Sequence, residues 1–97
     1  MDEVSVSVYG SDSCPETQRV RRRLDSLSVP YDYVNIDNDP AAEDKVKHWN
    51  HGKRRTPAVE FTVGQEKYRL VVPSDEALEA ELQQNGLVPK AGTRKAG

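Results

Sequence analysis

The stretch Val4-Ser5-Val6-Ser7-Val8-Tyr9-Gly10-Ser11-Asp12-Ser13-Cys14-Pro15-Glu16-Thr17 passes from one kind of backbone to another, and its reading decides the fold. Val4, Val6 and Val8 alternate with Ser5 and Ser7 at the two-residue period of a strand, and serines are small enough to let the second face be covered too. Residues 3–9 therefore read as a central strand. Gly10-Ser11-Asp12-Ser13 is turn chemistry, and Pro15 suits a first helical turn, where its missing N–H is not needed. Ser13 or Cys14 then stands at the helix cap.

Working outward, Thr17, Val20, Leu24 and Leu27 recur at spacings of three and four and form one apolar stripe. Arg19, Arg21, Arg22, Arg23 and Asp25 mostly cover the rest, so the arginines are expected to form a solvated face. The helix stops before Val29-Pro30. Tyr31 to Ile36 is rich in strand formers and gives a second strand, parallel to the first if the helix is a crossover. Asp39-Pro40 starts a second helix with the stripe Ala42, Val46 and Trp49, which places Trp49 in the core, and His51-Gly52 ends it. The basic loop Lys53-Arg54-Arg55 leads to Thr56-Pro57. Residues 58–63 and 67–72 read as an antiparallel hairpin about Gly64-Gln65-Glu66. Pro73 ends it, and Ser74 caps a last helix that carries Asp75 and Glu76 in its first turn, Leu78 and Leu82 on its apolar side and Gly86 as its stop.

The order βαβ, α, ββα predicts an α/β fold, a four-stranded mixed sheet flanked by helices, which is the minimal thioredoxin architecture. One domain is expected over residues 1–88, with 89–97 as a flexible polar tail. The 97 residues are 35% apolar, enough for a modest core. Charged residues make up 31% but the formal net charge is only -2, which argues against nucleic acid as a partner. No apolar run approaches the roughly 20 residues needed to cross a bilayer, and Met1-Asp2-Glu3 does not resemble a secretory leader. A cytoplasmic monomer without membrane contact is the expectation.

Cys14 is the single cysteine, so no internal disulfide can form. Its thiol is either buried filler or a reagent. A helix start offers free N–H groups and the positive end of a dipole, both of which favour a thiolate, while Asp12 and Glu16 nearby act against it. His48 and His51 with Cys14 make no metal site on spacing alone and read as a helix end and its loop.

With these residues in place a resemblance emerges. Tyr9 to Thr17, after a short strand, resembles the active-site segment of glutaredoxins, where Cys-Pro is followed by an aromatic residue and a second cysteine. Here those two places hold Glu16 and Thr17, a monothiol version. Gly52-Lys53-Arg54-Arg55-Thr56-Pro57 is similar to the glutaredoxin loop that ends in threonine, valine and cis-proline, which implies that Pro57 is cis and faces Cys14 and that the Thr56 backbone bonds to a bound thiol peptide. Val72-Pro73-Ser74-Asp75 takes the place of the family's glycine-glycine-cysteine-aspartate, with Ser74 and Asp75 at the positions that hold the γ-glutamyl end of glutathione. Ser11 stands where many glutaredoxins carry a lysine, leaving Lys53, Arg54 or Arg55 to supply that charge. Asn35 to Ala42 is similar to mycoredoxins, relatives that use a different small thiol.

The resemblance implies a thiol–disulfide oxidoreductase acting on mixed disulfides of glutathione or a mycothiol-type thiol. Cys14 is then the nucleophile within Ser13, Pro15, Glu16 and Thr17, and Lys53, Arg55, Thr56, Pro57, Ser74 and Asp75 bind the thiol peptide. No bound cofactor or metal is implied; the small thiol is a cosubstrate and thiolated proteins are the partners. Two other classes stay open, an iron–sulfur carrier and a catalytically silent thioredoxin-fold module. The first lacks the glycine-phenylalanine-serine that follows the cysteine in cluster-carrying relatives.

Overall fold

The computed structural model describes residues 3–88, and the tail expected at 89–97 lies outside them. Strand β1, Val4–Gly10, is the centre on which the rest is built. Strand β2, Asp32–Asn35, pairs with it in parallel, Ser7 opposite Asp32 and Gly10 opposite Asn35. Strand β3, Ala58–Val63, pairs with its other side antiparallel, and β4, Glu66–Val71, extends β3, giving the order β2-β1-β3-β4. Helix α1, Pro15–Ser26, joins β1 to β2, and α2, Pro40–Trp49, follows a short 3-10 turn at Ile36–Asn38. Helix α3, Asp75–Gln84, closes the described chain. The expected mixed sheet with flanking helices is therefore the fold, and no helix among the described residues is long and apolar enough to cross a membrane.

Alternation along β1 sorts the core. Val6 and Val8 meet Val20 and Leu24 of α1, Leu78 and Leu82 of α3, and Val59 and Phe61 of β3 on one face. Tyr9 joins Ile36, Ala42, Val46 and Ala58 on the other, where Trp49 packs edge-on against it at 5.1 Å between ring centroids. The stripe read from the sequence is the face that α1 buries, since Thr17, Val20 and Leu24 have essentially no exposure.

Two differences from the sequence reading have simple causes. Glu66 already pairs with Val63, so the hairpin turn is Gly64-Gln65 alone. Gly64 takes φ +61°, a conformation that two-residue turns need and that costs glycine little. Helix α2 also covers only the Tyr9 and Ala58 end of its sheet face. Towards the other end Ser5 is exposed, and the buried Glu60 of β3 is neutralised by Arg69 of β4 at 3.2 Å, whose guanidinium lies 4.6 Å from the Trp49 ring centre. A ten-residue helix reaches about 15 Å, too short to cover a four-stranded sheet end to end.

Candidate functional site

The turn from β1 to α1 is organised around Ser11. Its N–H donates to the Thr17 hydroxyl at 3.3 Å, its carbonyl accepts from the Cys14 N–H at 3.0 Å, and its own hydroxyl donates to Asp37 at 2.6 Å. Ser13 is held by the same hydroxyl, Oγ to Oγ at 3.1 Å. Thr17 sits fully buried beneath the turn, and Gly10 makes room for it, because a Cβ at position 10 would lie 2.5 Å from the Thr17 methyl. Close approach, and not backbone freedom, is what this glycine provides.

Cys14 is the N-cap residue of α1, with Pro15 exposed at the first helical position and no side chain capping the helix. Its sulfur is half-buried and lies 3.8 Å from the Thr56 carbonyl. Burial raises the thiol's pKa, but the hydroxyl of Thr17, the side chain of Thr56 and the N–H groups of Thr17 and Glu16 together outweigh it, so the net pKa is lowered. The Thr17 hydroxyl, which accepts from the Ser11 N–H, is itself among the groups that favour the thiolate. The loss of a second cysteine thus leaves a hydrogen-bond donor in its place.

The peptide bond between Thr56 and Pro57 is cis, as the resemblance implied, and Pro57 is fully buried. The carbonyl of Pro57 accepts from the Val72 N–H at 2.8 Å, which ties this loop to the segment before α3. Of the three basic residues ahead of it, Arg54 is committed, pairing with Asp37 and, at 2.9 Å, with Glu43. The Ser11 hydroxyl, helped by Arg54, holds the Asp37 carboxyl below its ordinary pKa against the opposing effect of desolvation. Lys53 and Arg55 are exposed and make no ion pair with any described residue. A continuous polar link therefore runs from the Cys14 turn through Asp37 and Arg54 to the proline loop, a connection with no signature in the sequence.

At the far side, Val72 adopts φ +45°, the left-handed conformation in which glycine is at ease, so the backbone takes this turn although the glycine pair is gone. Ser74 caps α3 by accepting from the Ala77 N–H at 3.1 Å. Asp75 accepts from Arg19 Nη1 at 2.6 Å, and the same guanidinium donates to Glu16 at 2.9 and 2.6 Å and to the Pro73 carbonyl at 2.7 Å. The expectation of a solvated arginine face on α1 is corrected here. Arg21 donates to the Tyr31 hydroxyl at 3.2 Å and covers the Tyr33 ring, and Arg23 pairs with Glu79, while Arg22 is exposed. The helix lies with neighbours on both flanks, and long arginine stems reach them. Apart from Glu16, one turn before Arg19, their acceptors lie outside the helix, which is why helical periodicity could not reveal them.

Cys14, Thr17, Thr56 and Pro57 are thus brought into one cluster, and Glu16 and Asp75 are joined through Arg19. His48 and His51 are exposed, and no group of three or more His, Cys, Asp or Glu side chains converges among the described residues.

The glutaredoxin family model matches residues 6–65. Mycoredoxin 1 of Corynebacterium glutamicum is 33% identical over 60 residues, which cover 62% of this chain and 73% of that protein. Thioredoxin O2 of Arabidopsis thaliana superposes with a TM-score of 0.66 at 20% identity, over 84% of this chain and 73% of that one. A buckwheat glutaredoxin–glutathione complex does so with a TM-score of 0.56 at 18% identity, over 89% and 74%. At such identities the structures show a shared fold.

Proposed function

Because the chain belongs to the glutaredoxin family, we propose that it is a monothiol oxidoreductase in which Cys14 removes a small thiol from protein mixed disulfides. The observation that carries the proposal is the setting of the Cys14 sulfur: half-buried, with hydrogen-bond donors that favour its thiolate, and 3.8 Å from the carbonyl ahead of a cis-proline.

In the first step the Cys14 thiolate attacks the small-thiol sulfur of the mixed disulfide. The old S–S bond breaks, the protein leaves as a thiolate that takes a proton from water, and Cys14 is left disulfide-bonded to the small thiol. In the second step the thiolate of another small thiol attacks that adduct, leaving as the oxidised small-thiol disulfide and returning Cys14 as a thiolate. Each turnover consumes one free small thiol: its sulfur and the one first carried in the mixed disulfide leave together as the small-thiol disulfide, and the protein sulfur is released reduced. Thr17 stabilises the Cys14 thiolate by hydrogen bonding, both before attack and on release, but cannot resolve the adduct, so an external thiol is required for turnover.

The thiol itself is proposed to be glutathione or a mycothiol-type molecule, on the strength of the mycoredoxin relative and of the glutathione held by the buckwheat neighbour. The Thr56 backbone would bond to its cysteinyl part in strand-like fashion, and Lys53 and Arg55 would meet a carboxylate at one end. The helix start at Ser74 and Asp75 would border the other end.

The test is turnover of a peptide carrying glutathione or mycothiol in mixed disulfide, supplied with the matching free thiol. Wild-type protein is expected to release the peptide thiol catalytically and Cys14→Ser to release none. Equal release by the two proteins, or none by wild type with either thiol, overturns the proposal.

A further inference from the structure

We propose that Arg19 is a positioning residue that, through Asp75, sets which small thiol Cys14 accepts: it holds the Asp75 end of the groove closed to a ligand ammonium. The inference rests on the reading of Cys14 as the nucleophile and adds to it a selectivity that the sequence pattern does not carry.

Glu16 follows Cys14 by two positions, and Asp75 opens α3. Between them stands one guanidinium that makes four hydrogen bonds, two to Glu16, one to Asp75 and one to the Pro73 carbonyl. Planar, charge-assisted bonds of this kind are the stronger sort, and a guanidinium does not lose its charge near neutral pH. The side chains of Arg19, Glu16 and Asp75 keep 30%, 50% and 46% of their exposure, so the network lies at the surface, where a ligand can reach it. The Pro57 carbonyl holds Val72, which places this segment beside the proline loop and hence on the same side as the Cys14 sulfur.

The charges decide what may sit there. An ammonium that approaches Asp75 must break the 2.6 Å bond from Arg19 or lie beside a like charge. In the loop ahead of Pro57, Lys53 and Arg55 are exposed and unpaired with described residues, and their charge adds to what disfavours an ammonium. The groove thereby disfavours a small thiol with a free ammonium and accepts one without it.

Adduct competition reads this directly. Each protein is equilibrated with equal concentrations of the glutathione and 2-mercaptoethanol thiol–disulfide pairs, and intact mass gives the ratio of the two Cys14 adducts. Glutathione carries an ammonium on its γ-glutamyl arm and 2-mercaptoethanol has none. Replacing Arg19 by leucine frees Asp75, and the ratio is expected to move about two- to fivefold towards glutathione, the worth of one half-exposed ion pair. Arg19→Gln removes the charge while keeping hydrogen-bonding groups, and it is expected to move the ratio the same way should the leucine variant not fold. Adding Asp75→Asn to either should return the ratio to the wild-type value, and Arg19→Lys should stay near it. A ratio that is unchanged or falls in folded Arg19→Gln, or a gain that survives Asp75→Asn, overturns the inference. Adduct formation needs no turnover, so failure to release peptide thiols overturns the reading of the function without touching this ratio. A Cys14 that forms no adduct with either pair overturns both.

Discussion

The two ends of the proposed thiol-binding site are held by different physics. Around Cys14 the contacts are mostly neutral hydrogen bonds, the Ser11 N–H to Thr17, the Cys14 N–H to Ser11 and the Cys14 sulfur to the Thr56 carbonyl, and the key side chain is fully buried. Around Asp75 they are ion pairs between half-exposed side chains, Arg19 with the distant Asp75 and with Glu16 one turn before it on α1. The buried end governs the protonation of the sulfur and is shielded from salt. The exposed end, proposed above to select the small thiol, is open to screening.

The largest expected effect comes from attacking the buried end through its glycine. Gly10→Ala forces a methyl to within 2.5 Å of Thr17, and overpacking of this sort costs about 1–3 kcal/mol, to be read from urea unfolding. A variant as stable as wild type would show that Thr17 is not wedged against the strand. Next, Thr17→Val removes the hydroxyl that serves Ser11 and Cys14 and leaves the buried Ser11 N–H without its acceptor, a loss of roughly 1 kcal/mol or more.

The pH dependence sharpens the same point. In wild type the midpoint of the alkylation rate against pH is expected below the free-thiol value of about 8.5. A lowered folded-state pKa means that the thiolate's contribution to stability is fully present above the unfolded pKa and is lost as pH falls through the folded one. In Thr17→Val the midpoint should rise and that contribution shrink; a midpoint that stays put would remove Thr17 from the thiolate's support.

At the exposed end the effects are smaller. A double-mutant cycle on Arg19 and Asp75 should give a coupling of about 0.2–1 kcal/mol that fades between roughly 0.1 and 1 M salt, while the alkylation midpoint hardly moves. A coupling insensitive to salt would mean that the two ends do not differ in kind. The smallest effect is expected at Val72. Val72→Gly relieves left-handed strain of about 1–2 kcal/mol and gives back about 0.5–1 kcal/mol in chain entropy, so its unfolding free energy should be no lower than that of wild type. Clear destabilisation would show that the valine side chain packs usefully there.

How far the sequence could be read follows the same division. Cys14 at the cap, Thr17 on the buried stripe, Pro57 after the basic loop and Ser74 as a cap are each set by a few neighbouring residues, and the structure places them in those local settings. Arg19, Asp37 and Arg54 escaped because a charged side chain on a helix or loop looks the same whether its partner is water or a distant carboxylate. Val72 escaped for another reason, since a branched side chain argues against the conformation it adopts, and only its tie to Pro57 accounts for the path. The partial cover of the second sheet face was likewise invisible, being a matter of how far one short helix extends.

The strand order leaves the sheet with two rims, and neither invites growth. One is β2, only four residues long, and the other is β4, which carries Glu66, Lys67 and Arg69. A neighbouring molecule trying to add its own strand would find too short a ladder on one side and a row of charge on the other, the usual defences against edge-to-edge aggregation. The rims themselves therefore give a fibril no ready template.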